Sequence, residues 1–190
     1  MRKLLRRIVW IIIIVSVIVA WRNVNKDLPE GLSYEGPARL VTAESVSFFS
    51  DRTFVNGAGA RQSQQQIFDE VFRMIRSARQ YILLDMFLYN DYQGAAPEKT
   101  RALSSELTRA LLNQKKSYPK IEIVVVTDPI NETYGGDVSE QFKKLRAAGI
   151  SVIMTDLKKL RDSNPIYSGF WRSVVQWLGN SPDGGFAPHP

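Results

Sequence analysis

The sequence predicts an α/β fold, a mainly parallel sheet with flanking helices, set behind one N-terminal transmembrane helix. Three observations lead there. Residues 8–21 form an apolar run whose only polar member is Ser16, with basic residues on both sides. Beyond it, short β-branched runs alternate with stretches of helical apolar spacing in the order β-α-β-α-β. The links between them are short, which favours parallel strands joined by right-handed crossovers.

The first element is the apolar run. Arg2, Lys3, Arg6 and Arg7 precede it and Arg22 closes it. It is shorter than the roughly 20 residues of a spanning helix. Leu4 and Leu5 add apolar length, and arginine stems at both ends can snorkel to the interface. Trp10 and Trp21 suit interfacial positions. A buried core helix would have to hide every face beside clustered arginines. A cleaved signal peptide needs small residues at its cleavage site, and Ile18-Val19-Ala20 places a bulky residue there. The reading is an uncleaved signal-anchor over 1–22. Positive charge ahead of the run keeps the N-terminus cytoplasmic. This implies a single-pass protein of the cell membrane with its domain outside.

Charge has to be located before it is interpreted. The net charge of +6 comes from 25 basic and 19 acidic residues. Residues 1–22 hold five of the basic ones and no acid, so 20 basic residues face 19 acids in the remainder. That balance gives no ground for a nucleic-acid partner. The absence of cysteine excludes a disulfide framework, a thiolate nucleophile and a cysteine zinc site. The one histidine is His189. With 44% hydrophobic residues the chain can bury a core.

Residues 23–40 read as a linker with turn signals at Leu28-Pro29-Glu30-Gly31 and Gly36-Pro37. An α/β domain is expected over 41–180 and an irregular tail over 181–190. Residues 41–49 suggest a strand ended by Ser50-Asp51, and Asn56-Gly57 with Gly59 a loop. Ser63 and Gln66 have the spacing of a capping box. Ile67, Phe68, Val71, Phe72, Ile75 and Ala78 then share a helical face. A buried strand follows at 81–88, then a helix over about 98–114. The β-branched run 121–127 has the composition of a strand covered on both faces. A third helix is expected from Asp137, with Gly149 at its C′ position, and a strand over 150–155. The apolar helical stretch at 170–178 suits a core-covering helix better than one lying on lipid.

Candidate chemistry gathers at the strand ends. Asp91, Asp128 and Asp156 each follow a strand, where parallel sheets place their ligand crevice. Clustered carboxylates there can hold Mg²⁺. Short polar side chains also close turns, and Asp128-Pro129 looks like a turn. Asp85 lies inside an apolar strand, where a buried carboxylate needs a partner or a raised pKa. Asn131-Glu132-Thr133 matches a glycosylation acceptor, a short motif. Asp85, Asp91 and Asp128 are the candidate site-proximal residues. No residue is assigned as catalytic, metal-ligating or cofactor-binding.

Phe48-Phe49-Ser50-Asp51, Gln66-Ile67-Phe68-Asp69, the stretch ILLDMFLYN at 82–90, VVVTD at 124–128 and LRAAGISV at 145–152 follow one another in order. Over about 40–180 this resembles the front part of the phospholipase D superfamily, among its cardiolipin-synthase-like bacterial membrane proteins. The resemblance implies an incomplete phospholipase D-like domain of phospholipid metabolism. It implies metal-free, cofactor-free phosphodiester hydrolysis or phosphatidyl transfer on phospholipids or other phosphodiesters. The family's catalytic element, H-x-K-x-x-x-x-D, supplies one histidine to attack phosphorus and another to protonate the leaving group. These 190 residues lack it, because Pro190 alone follows His189. The expectation is a fragment or truncated product that is inactive alone. The alternative is a non-catalytic, membrane-tethered α/β module that binds a partner or a lipid headgroup. A weaker third reading is a Mg²⁺-dependent phosphohydrolase using Asp128 and Asp156.

Overall fold

Chain order explains the architecture. The structure, a computed structural model, describes residues 2–92, 101–135 and 137–178. Its elements are α1 (Arg2–Asn25), β1 (Asp51–Val55), β2 (Arg61–Gln65), α2 (Gln66–Ser77), β3 (Tyr81–Met86), α3 (Leu103–Ser117), β4 (Glu122–Thr127), α4 (Glu140–Ala147), β5 (Ser151–Met154) and α5 (Pro165–Ser173). Short 3₁₀ turns lie at Ala43–Ser45, Pro129–Gly135, Leu157–Lys159 and Val175–Leu178. Contacts group the chain into two units. One is drawn from Met1–Glu35, Asp128–Val138 and Met154–Pro190, the other from Gly36–Thr127 and Ser139–Ile153.

The second unit holds a three-stranded parallel sheet in the order β3-β4-β5. Ile82 pairs with Ile123 and Leu84 with Val125. α3 links β3 to β4 and α4 links β4 to β5, each step moving one strand along in the same direction. Right-handed crossovers therefore set both helices on one face of the sheet. Strand residues Ile82, Ile123 and Val125 are buried, as are Leu107 and Leu111 of α3 and Phe142 and Leu145 of α4. α2 adds Phe72 and Ile75 to the core. The other face stays open, with Tyr81 50%, Leu83 58% and Ile153 51% exposed. The expectation that 121–127 is covered on both faces is thus corrected. In β4 burial alternates, because consecutive crossovers in one direction put no helix on the second face.

The N-terminal part of this unit departs further from expectation. Residues 41–49 form no strand; Val41 and Phe48 are 69% and 88% exposed. The strand lies later, as β1, and pairs antiparallel with β2, so the sheet architecture is only partly parallel. Asn56 closes this hairpin by accepting from the backbone N–H groups of Ala58 and Ala60. Ser63, expected to cap α2, sits in β2 opposite Thr53. Asp51 takes over the cap, its Oδ1 accepting from Ile67 N at 3.0 Å. Pairing β1 with β2 brings Asp51 to Gln65 and so to the helix start.

Two other helix boundaries also shift. α3 starts at Leu103, after non-helical 101–102, and residues 98–100 of the expected helix lie outside the described residues. α4 begins at Glu140, capped by Ser139 Oγ to Phe142 N at 3.3 Å, rather than at Asp137. Its end follows expectation. Gly149 adopts φ +73°, and Ile150 N donates to Leu145 O while Gly149 N donates to Arg146 O. This is the Schellman pattern.

In the first unit, α1 is long and apolar enough to cross a membrane, with mean hydropathy 2.3 over its best window. It has no buried residue. α5 packs on α1. The expected core-covering role of 170–178 is corrected, since this stretch starts inside a helix whose partner is the N-terminal helix. The contact is very close: a Cβ added at Gly169 would lie 2.2 Å from Ser16 O and 3.1 Å from Ala20 Cβ. Above it, Asp162 N donates to Asn23 O, and Arg161 Nε donates to Lys26 O at 2.8 Å. The Asp162 side chain is fully buried. It accepts two bonds from Arg172, each 2.6 Å, and one from Ser168 Oγ.

Two outcomes are expected. Asp51→Ala lowers stability by about 1 kcal/mol through the lost cap, while Ser63→Ala leaves it within error, as read by urea unfolding. Asp162→Ala strands a buried guanidinium and lowers stability by roughly 3–5 kcal/mol in detergent micelles. Combining Asp162→Leu with Arg172→Met recovers most of that loss.

Candidate functional site

The chain leaves β3 at Met86 and reaches the sheet's carboxyl edge at Tyr89-Asn90-Asp91. A cleft of about 250 Å³ opens there between the start of α3 and the end of β3. Leu88, Asn90, Asp91 and Ser104 line it, and Tyr89, between Leu88 and Asn90, is fully buried. The Tyr89 hydroxyl lies 3.0 Å from Thr108 Oγ1, and its ring is 5.4 Å from that of Phe142. Burial pushes the phenol pKa up to about 12, with the nearby Asp91 charge adding to the rise and the Thr108 bond opposing it. Ser104 Oγ donates to Asn90 O at 2.9 Å, and Thr108 Oγ1 to Ser104 O at 2.8 Å. Backbone and hydroxyl groups thus tie the strand exit to the first turn of α3.

Asp91 is the best-positioned of the expected acids. Its Oδ2 accepts from Ser105 Oγ and, at 2.6 Å, from Gln141 Nε2 of α4. Arg101 stands at the rim, bonded to Asp69 at 2.7 Å and to Glu106 at 2.9 Å. The Glu106 bond first and the Asp69 bond second hold its guanidinium above the ordinary arginine pKa. That charge is committed to two carboxylates.

Asp85 is corrected from a buried to an exposed residue. It shares the open sheet face with Tyr81 and Leu83, because strand side chains alternate and Leu84 takes the inward position. Asp128 closes a turn: its Oδ1 accepts from Ile130 N at 2.8 Å and its carbonyl from Asn131 N at 3.1 Å. Asp156 does the same for Lys158 N at 3.2 Å and pairs with Lys159 at 3.8 Å. No group of three or more acids and histidines that could hold a metal forms among the described residues. The glycosylation reading of Asn131 is also corrected. That side chain is 1% exposed and donates to Asp128 O at 3.0 Å. His189 lies outside the described residues.

Sequence reasoning missed Arg101, Ser105, Thr108 and Gln141. Gln141 joins Asp91 across 50 residues of chain, and no local pattern announces such a bond. Comparison with family models, curated proteins and solved structures finds no match for this chain.

The cleft is a satisfied polar network with a Ser105–Asp91 pair and no imidazole among its described members. Its alkaline behaviour follows from Tyr89. The folded phenol titrates above the ordinary tyrosine value of 10.0. Its contribution is therefore intact below pH 10 and is lost as pH rises toward about 12. Urea midpoints measured from pH 8 to beyond pH 11 should fall more steeply in the wild type than in Tyr89→Phe.

Proposed function

We propose that this chain is a membrane-anchored, phospholipase D-like α/β module that performs no phosphodiester chemistry by itself. Hydrolysis or phosphatidyl transfer belongs to a form carrying H-x-K-x-x-x-x-D, which these residues lack. The observation supporting the reading is the run from β3 through Tyr89-Asn90 into α3, then parallel β4 and Asp128. It keeps the family-like order of strand, acid and helix behind an apolar N-terminal helix. In this reading α1 spans the cell membrane once, with its basic start in the cytoplasm and the domain outside.

A second reading has its own support. Asp128 and Asp156 spend oxygens on local turns, Asp91 spends one on Ser105 and Gln141, and Arg101 is doubly paired. A module of this kind binds a partner or a lipid headgroup and does no chemistry in any form. The two readings part on the sequence to which the chain is joined: continuation into H-x-K-x-x-x-x-D favours the first.

Purified chain in phospholipid micelles is expected to release no headgroup above the enzyme-free background, and His189→Ala to behave identically. Histidine-dependent turnover would contradict the proposal. Mg²⁺ titration is expected to leave the melting temperature unchanged.

A further inference from the structure

The geometry points to α5 as a second membrane-embedded element, a short helix that enters the hydrocarbon alongside α1 and seats lipid acyl chains between them. The inference rests on the reading of α1 as a membrane span and deepens it.

Depth follows from the helix contact. Asp162 N bonds Asn23 O, while Gly169 lies against Ser16 and Ala20. Advancing from 162 to 169 therefore retreats from 23 toward 16 on α1, so the two helices run antiparallel. Ser16 is five residues before Trp21. At about 1.5 Å per residue it lies roughly 8 Å below an interface marked by that tryptophan. A hydrocarbon core of about 30 Å then places Gly169 well inside its outer half. Because the backbones touch at Gly169, α5 cannot stand off from α1 and stay in water.

The surface of α5 fits that depth. Ile166 and Phe170, one turn apart, are 91% and 50% exposed. Together with Val9, Ile13 and Val17 of α1 they line a groove of about 540 Å³ whose polar contribution is nearly nil. In water such a surface is a penalty; against acyl chains it is matched. The one charged side chain of α5 avoids the hydrocarbon. Arg172 reaches back toward the helix N-terminus, where its guanidinium meets Asp162 beside Asn23. Each end also carries a side-chain cap, which lowers the cost of backbone groups in lipid. Asn164 caps the start through Tyr167 N at 3.2 Å, and Gln176 Nε2 donates to Arg172 O at the finish.

The absence of native cysteine makes the test direct. Chains of these 190 residues carrying Ile13→Cys, Ile166→Cys, Phe170→Cys or Lys116→Cys are labelled with a thiol-reactive fluorophore. They are reconstituted in phosphatidylethanolamine/phosphatidylglycerol vesicles with or without acyl-chain-brominated lipid. Bromines should quench the labels at 13, 166 and 170 roughly twofold, and spare the label at 116 on α3. Quenching at 13 without quenching at 166 and 170 overturns the inference and leaves the span intact. Equal behaviour at 13 and 116 removes the span and the inference together.

Discussion

A 24-residue apolar helix without one buried residue is the constraint on which this molecule turns. Burial is worth about 25 cal/mol per Å² of apolar surface. The protein buries no residue of α1 fully, and the helix is long and apolar enough to cross a membrane. What the chain does supply is α5, held so close at Gly169 that no side chain fits between the backbones. At one end Asp162 N and Arg161 Nε bond Asn23 O and Lys26 O, and a buried ion pair within the α5 segment holds Asp162 in place. Asp162 and Arg172 are tolerable in that position only because each satisfies the other and Ser168 adds a third bond.

The α/β unit obeys a different rule. Its strands lie in sequence order, and each right-handed crossover returns to the same side. Helices accumulate on one face, and the core is the layer where Ile123 and Val125 meet Leu107, Leu111, Phe142 and Leu145. Leu83 and Ile153 remain on the open face. The same alternation that buries Ile82 turns Asp85 outward. Its apolar neighbours in sequence say nothing about which way it points.

At the carboxyl edge, polar groups close the fold before they offer chemistry. Tyr89 bonds Thr108, Ser104 bonds Asn90, and Asp91 gathers Ser105 and Gln141. Such networks stabilise when complete, because an unpaired buried polar group is costly. The placement of Asp91 was readable as a strand-end acid. Its partners were not, since they come from α3 and α4 and depend on how those helices dock.

Local patterns in the sequence alone determined α1, the apolar face of α2, strands within 81–88 and 121–127, and the Schellman end of α4 at Gly149. Each rests on spacing or on one residue's backbone freedom, both of which act within a few positions. Tertiary structure alone decided that Asp51 rather than Ser63 caps α2, and that residues 41–49 form no strand. It alone decided that one sheet face stays open and that the stretch from Phe170 begins inside a helix packed on α1. Those outcomes depend on which surfaces meet, and a strand or an apolar helix carries no record of its partner until the chain has folded around it.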